Sequence, residues 1–372
     1  MPRILIVPDK FKGSLTAHAA AAAIAAGWSK ARPGDRVETL PLTDGGDGFG
    51  AVLGELLGAQ RKYAQTVDAA HRPLRGLWWW HESGKKAIID SAGIIGLAML
   101  PAKQFHPFQL DSFGLGGVMQ AAAKSGATNG VVGIGGSATN DGGFGMARAL
   151  GWKFFNKNKD ELEEWWRLHE LSNACPPENA LRWNVTVAVD VANPLLGPKG
   201  CSRIFGPQKG LRAQDFELAE KCLGRLASVL KEQHGIAGAK TAGAGAAGGL
   251  GFGLMAFAGA KMDSGFETFA RCVKLNERIA KADLVITGEG RMDRQTYMGK
   301  GVGQIARRCQ ELGIPCLALA GTVLEPARAR PLFAQVRALT EITGLERAQL
   351  EAAFHLQRLA TQMAEALPPC VP

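Results

Sequence analysis

The chain has 372 residues, 46% of them hydrophobic, and carries 43 basic against 34 acidic side chains for a net charge of +9. That length exceeds one ordinary core and predicts two domains. The basic residues are scattered, with no Lys/Arg run and no aromatic–basic interleaving, so nucleic acid is a poor partner and anionic small molecules a good one.

In chain order, short apolar runs alternate with helical segments, and most of the runs end in a polar or glycine-rich turn. Arg3–Val7 reads as a strand, enters Pro8-Asp-Lys-Phe-Lys-Gly-Ser14, and is followed by an Ala-rich helix from about Thr16 to Lys30. Arg36–Leu42 enters Asp44-Gly-Gly-Asp47-Gly48 and a helical segment to about Gly58. A different texture begins at Leu77-Trp-Trp-Trp80-His81 and includes a charged stretch, Lys157–Leu171, holding Trp165 and Trp166. Val131–Ile134 meets Gly133-Ile-Gly-Gly-Ser-Ala-Thr-Asn-Asp-Gly-Gly143, and Asn184–Val189 meets Asp190-Val-Ala-Asn193-Pro194. Gly235–Gly253 is almost all Gly and Ala. Leu284–Thr287 then meets Gly288-Glu289-Gly-Arg-Met-Asp293, and Cys316–Ala320 meets Gly321-Thr322. The last segment, Glu346–Leu367, places Leu356, Leu359, Met363 and Leu367 at helical spacing and reads as a packing helix.

Strands alternating with helices predict an α/β fold with largely parallel sheets. The expected division is one α/β domain from residues 1–74 and 281–372, with a second α/β domain, 75–280, inserted in it. No run of about 18 apolar residues spans a membrane, and the run after Met1 is too short for a secretion signal, so a cytoplasmic protein is expected. The seven cysteines form no Cys-x-x-Cys and no zinc spacing, and are read as reduced thiols.

In open parallel sheets ligands bind beyond the carboxyl ends of the strands, so the polar turns hold the candidate site. Gly133–Gly143 has the strand–turn–helix layout that aims backbone N–H groups at an anion. Within it Gly135, Gly136, Ser137, Thr139 and Asn140 are candidate phosphate or substrate contacts, and Asp141 a carboxylate for a cation. Asp44 and Asp47 share one strand-end loop, suited to orienting a hydroxyl or holding Mg²⁺, although the loop is no EF-hand. Asp190 ends a clean β run and is a candidate proton acceptor or metal ligand; Glu289 and Asp293 repeat that arrangement. Lys12 lies where the first helix begins and suits a carboxylate or phosphate. Ser14 is a helix cap or a ligand contact, and Lys209 and Lys300 are further cationic loop positions.

Gly243-Ala-Gly245-Ala-Ala-Gly248, followed by Gly249, formally matches the dinucleotide fingerprint, but no β-rich run precedes it and no acid follows at the expected spacing. A backbone-lined phosphate loop is the better reading. The P-loop motif and the protein-kinase motif set are both missing. No histidine has the Ser or Cys context of a nucleophile triad.

Taken together, the segments at 8–15, 44–48, 133–143, 190–195, 205–210, 243–251 and 286–296 resemble the bacterial glycerate kinase family, the two-domain type unrelated to P-loop and protein kinases. The resemblance implies a flavodoxin-like domain built from both chain ends with an α/β domain inserted. It also implies Mg²⁺- and ATP-dependent phosphorylation of D-glycerate, with 2-phosphoglycerate as product; a homodimer is a separate expectation. On that reading the glycine loops supply phosphate donors, Lys12 or Lys209 binds the carboxylate or the moving phosphoryl group, and Asp141 or Glu289 serves Mg²⁺. Asp190, with Asp44 or Asp47, would orient the hydroxyl and take its proton. The chain departs from the family pattern at Lys10, Phe105-His106-Pro107, Asp111–Gly117 and Asn156–Asn173. Substrate preference shifts if those positions touch substrate, and nothing functional follows if they only pack. A nicotinamide-dependent oxidoreductase and a catalytically silent ligand sensor are the rival functions.

Overall fold

The computed structural model describes residues 1–46, 48–181 and 183–368. The chain divides into two compact units, residues 1–43 with 270–372, and residues 44–269. The first unit opens with β1 (Arg3–Pro8), which pairs in parallel with β2 (Arg36–Thr39). Ile4 to Val7 are all at most 2% exposed, the continuous burial expected of a strand covered on both faces.

The second unit contributes β3 (Gln60–Val67), β4 (Pro73–His81), β5 (Lys86–Asp90), β6 (Asn129–Gly133), β7 (Lys153–Asn156), β8 (Leu171–Cys175), β9 (Asn184–Ala188) and β10 (Lys261–Asp263). Six of these form a mixed sheet in the order β10-β9-β6-β5-β4-β3, while β7 and β8 make an antiparallel ribbon. The four strands from β5 to β10 in that sheet run parallel; β3 and β4 are antiparallel additions at one side. Trp78 and Trp80 share one face of β4 in an edge-on contact 6.2 Å between centroids, while Trp79 points to the other. All three indoles are buried, so the aromatic run is a strand buried on both faces.

After Ala270 the chain rejoins the first unit through β11 (Leu284–Met292), β12 (Cys316–Val323) and β13 (Gln335–Ala338). The resulting sheet is all parallel, ordered β13-β12-β11-β1-β2. Counted within the unit this is 2-1-3-4-5, the flavodoxin-like order. The unit boundaries differ from the sequence division because β3, expected with the chain ends, is hydrogen-bonded along its length to β4. Helix Phe49–Leu56 likewise packs on β4 and β5. No described helix is long and apolar enough to cross a membrane. Six described cysteines are free thiols.

Helix Ala17–Ala31 begins at Thr16, whose Oγ accepts from Ala19 N at 3.1 Å, the expected N-cap. It packs against Ala352–Ala366, in which Leu356, Leu359 and Met363 are fully buried. The C-terminal helical segment is broken at Glu351, where ψ is +32°. At the crossing, a Cβ on Gly27 would lie 2.2 Å from the Gln357 carbonyl oxygen and 2.9 Å from the Ala360 methyl. In an open helix Gly→Ala gains about 1 kcal/mol; here overpacking costs about 1–3 kcal/mol and outweighs it. Gly27→Ala is therefore expected to lower the urea midpoint, and a higher midpoint would show that the two helices are not in contact there.

Candidate functional site

In the second unit, Asp90, Gly133, Ala188 and Asp263 are in register across β5, β6, β9 and β10. Every loop leaving this row starts at the same level, which is how residues far apart in sequence reach one place. Asp90 accepts from Gly48 N at 3.1 Å, Gly50 N at 3.3 Å and Ala92 N at 3.1 Å, fixing the start of helix Phe49–Leu56. Gly135 N donates to Gly45 O at 3.2 Å, bringing the Asp44 loop against the glycine loop. Asp44 is half-buried, and its Oδ1 accepts from Gly46 N at 3.2 Å. Asp47 lies outside the described residues. Asp190 is exposed, and its Oδ1 accepts from Ser264 Oγ at 3.2 Å and Gly265 N at 3.0 Å. The Asp44 carbonyl and the Asp190 carboxylate both crowd the Gly265 α-carbon, so these two acids are neighbours.

The glycine loop is pinned from below by Lys209. Its Nζ donates to Ser137 Oγ at 3.1 Å and to Thr139 O at 2.6 Å, and the residue is only 6% exposed. Burial pushes its ammonium down to about 8, with Asp141 a weaker opposing influence. Among the described residues no carboxylate pairs with it, so its charge is left to the loop. Among the described residues the buried Thr139 hydroxyl and Asn140 Oδ1 have no hydrogen-bond partner, while Asn140 Nδ2 donates to Ser202 Oγ at 2.9 Å. The backbone N–H groups of exposed Gly136 and of Ser137 donate to no described residue.

Asp141 behaves differently. It is wholly buried and accepts from Ser112 N at 2.9 Å, Ser112 Oγ at 2.7 Å, Gly143 N at 3.2 Å and Gly145 N at 2.9 Å. Burial, and then the nearby Asp111 charge, push its carboxyl up, while the Ser112 and Gly145 donors pull against that. Three of these bonds converge on Oδ2 and one reaches Oδ1, so Asp141 shapes the loop from a buried position.

Gly243–Gly249 packs directly on this loop: Ser137 Oγ donates to Ala247 O at 3.1 Å and Gly142 N to Gly248 O at 3.1 Å. A Cβ on Gly248, where φ is +70°, would sit 1.9 Å from Thr139 O, and one on Gly245 would sit 2.1 Å from Pro194 O. Gly245 N and Gly249 N are themselves spent on Asn193 O and Gly245 O. Close approach accounts for Gly243, Gly245, Gly248 and Gly249. The element before them is helix Phe216–His234, not a strand, which removes the dinucleotide fingerprint.

In the first unit, Pro8 ends β1 in register with Gly288, but β11 continues to Met292, so Glu289 lies within the strand and not on the turn expected after Thr287. Half-buried Glu289 accepts from Thr296 Oγ at 2.6 Å, and desolvation, with Asp9 and Asp293 adding negative charge, pushes it up to about 7. Asp293 accepts from Gln295 N at 2.8 Å and caps the short helix Arg294–Tyr297. Lys12 and Lys300 are exposed and Ser14 half-buried, on the loops of the same strand ends. Among the described residues no three His, Cys, Asp or Glu side chains form a group that could hold a metal. Mg²⁺ bound through one or two carboxylates, phosphate oxygens and water needs no such group. Glu289 fits that requirement: among the described residues one of its oxygens has no hydrogen-bond donor, and a cation would relieve the crowding of three acids.

The departures at 105–117 fall in the packing of the second unit. His106 Nε2 lies 3.2 Å from Asp215, and the Arg72 guanidinium lies 5.8 Å from the Phe105 ring centre. Ser112 is the exception, since it reaches Asp141. Sequence reasoning missed Asp90, Ser112 and Ser264. Asp90 ends the apolar run Ala87–Ile89 and carried the same signal as Asp190; Ser264 follows a three-residue strand with no such run.

A profile of the glycerate kinase family matches residues 4–368. The glycerate 2-kinase of Escherichia coli K12 is 35% identical over 98% of both chains. A glycerate kinase of Halalkalibacterium halodurans is 37% identical over 87% of this chain and 86% of its own. A solved structure from Salmonella typhimurium LT2, described as glycerate kinase 2, superposes with a TM-score of 0.85 at 32% identity, covering 98% of this chain and 97% of the other. With the whole described fold matched and its strand-end loops in place, the chain belongs to the glycerate kinase family, whose members are phosphotransferases.

Proposed function

We propose that the chain transfers the γ-phosphoryl group of ATP to the 2-hydroxyl of D-glycerate, with Mg²⁺, giving 2-phosphoglycerate and ADP. The observation that carries this reading is the Lys209 ammonium, desolvated and unneutralised beneath a glycine loop with unspent backbone N–H groups. The name of the Escherichia coli relative supports the 2-hydroxyl as acceptor.

Phosphoryl transfer asks for positioning and charge neutralisation more than for covalent chemistry. Gly135, Gly136, Ser137, Thr139 and Asn140 would cradle an anionic group over Lys209, with Gly243–Gly249 holding that loop in shape. Asp190, oriented by Ser264 and the Gly265 N–H, would accept the hydroxyl proton, with Asp44 beside it. The hydroxyl oxygen bonds to the γ-phosphorus as the bond from that phosphorus to the bridging oxygen breaks; ADP leaves with the electron pair. Lys12, Ser14 and Lys300 are proposed anion contacts of the first unit. Glu289 would reach Mg²⁺, which when bound neutralises phosphate charge.

The direct test couples ADP release to D-glycerate addition and reads the product by ³¹P NMR. A 2-phosphate is expected; no ADP release with any three- or four-carbon hydroxy acid would sink the reading. Asp190→Asn should cut turnover by about a hundredfold, and near-normal turnover would take the proton from Asp190 and give it elsewhere.

Lys209 sets a pH dependence with opposite signs for activity and stability. Because its charged form is the useful one, kcat/KM should fall as pH rises through about 8. Stability should rise from about 8 toward the unfolded value of 10.5, since there the unfolded chain still binds the proton the folded chain has released. Lys209→Arg should remove the alkaline fall in kcat/KM; an unchanged profile in that variant would assign the fall to another group.

A further inference from the structure

A cavity of about 510 Å³ opens at the amino ends of β1 and β2, in the first unit. It lies at the other end of the sheet from the Lys12 loop, about 16 Å away along β1 at the strand rise of about 3.3 Å per residue. Its walls carry Arg3, Arg36, Lys274, Arg278 and Lys281 against two carboxylates, Glu38 and Glu277. Arg3 and Arg36 are in register on adjacent strands, and Lys274 begins helix Leu275–Ala280 with φ at +54°. Arg278 is already committed, to Glu38 and to Val273 O. Asp283, beside the cavity, accepts from the Arg3 backbone N–H at 2.7 Å. The side chains of Arg3, Arg36, Lys274 and Lys281 make no ion pair and no hydrogen bond with any described residue.

We propose that this cavity binds a small, multiply charged phosphate-bearing anion, at a site separate from the strand-end loops assigned to phosphoryl transfer. Four cations held around one concavity repel one another, and on a surface meant only for solubility they would be interspersed with acids. Here the nearby acids are spent or outnumbered. The volume is that of a small-molecule site, too small for a duplex and lacking the aromatic platforms of a single-strand groove. A ligand with two or more negative charges neutralises the cluster, and its affinity falls steeply with salt.

Pyrophosphate titrated by calorimetry into the full chain, with ADP in a parallel arm, tests this against Arg36→Ala/Lys281→Ala. The catalytic loops are unaltered in that variant, so the difference reads this cavity alone. Pyrophosphate affinity should drop roughly tenfold, the loss expected for two partly exposed charge contacts, while basal turnover stays as in the wild type. Loss in the pyrophosphate arm alone marks a simple phosphate site, and loss in both arms a nucleotide-compatible one; either supports the assignment. Equal affinities in the two proteins overturn it. So does tight binding of an oligonucleotide that pyrophosphate fails to displace.

Discussion

Lys209 donates to Ser137 Oγ and Thr139 O from a position with almost no solvent, and the shape of the 133–143 loop follows from that commitment. A buried ammonium costs several kcal/mol in lost hydration, and short contacts to a carbonyl and a hydroxyl recover part of it. On the opposite flank Asp141 gathers four donors from Ser112, Gly143 and Gly145. One buried cation and one buried anion therefore hold a glycine-rich segment that by itself would have great conformational freedom. The loop is preorganised, and its remaining polar atoms are those that face outward or lack partners. That arrangement suits a charge-stabilising role, because donors fixed before the reaction cost no reorganisation during it.

Much of this was legible in the residues, for a physical reason. Apolar runs ending in acids and glycines mark strand ends, and in parallel sheets such ends gather at one edge. Gly133–Gly143 and Asp190 do follow strand ends, whereas Glu289 lies inside β11, which runs on to Met292. What the sequence hid was which glycines are open to solvent and which are pressed on another backbone. Gly136 and Gly248 look alike in sequence, yet one is exposed at a loop tip and the other is pressed on Thr139 O. Nothing local to Asp141 reveals that Ser112, 29 residues away, donates twice to its Oδ2. The place of β3 was equally hidden, because antiparallel addition to β4 depends on pairing partners and not on the apolar pattern of β3 itself.

The two units divide their electrostatics unevenly. In the second, a cation is desolvated under the glycine loop and has no acid touching it. In the first, burial, with Asp9 and Asp293 nearby, holds Glu289 up to about 7, while cations without ion pairs among the described residues collect at the far end of the same sheet. The acids around Glu289 and the cations of the cavity thus lie at opposite ends of one sheet.

The pairing of β1 with β11 joins Ile4 to Leu284 across the whole of the second unit. During synthesis β1 can find only β2, an edge strand of four residues, until the ribosome has released everything up to β11. Residues 44–269 contain all the strands of their own sheets and can condense while the first unit is still waiting. A nascent chain halted before residue 284 would hold a folded insert tethered to an apolar, two-sided strand with nothing to cover it. Such a strand is a ready template for association with other chains, so the discontinuous sheet makes timely completion of translation a condition of solubility.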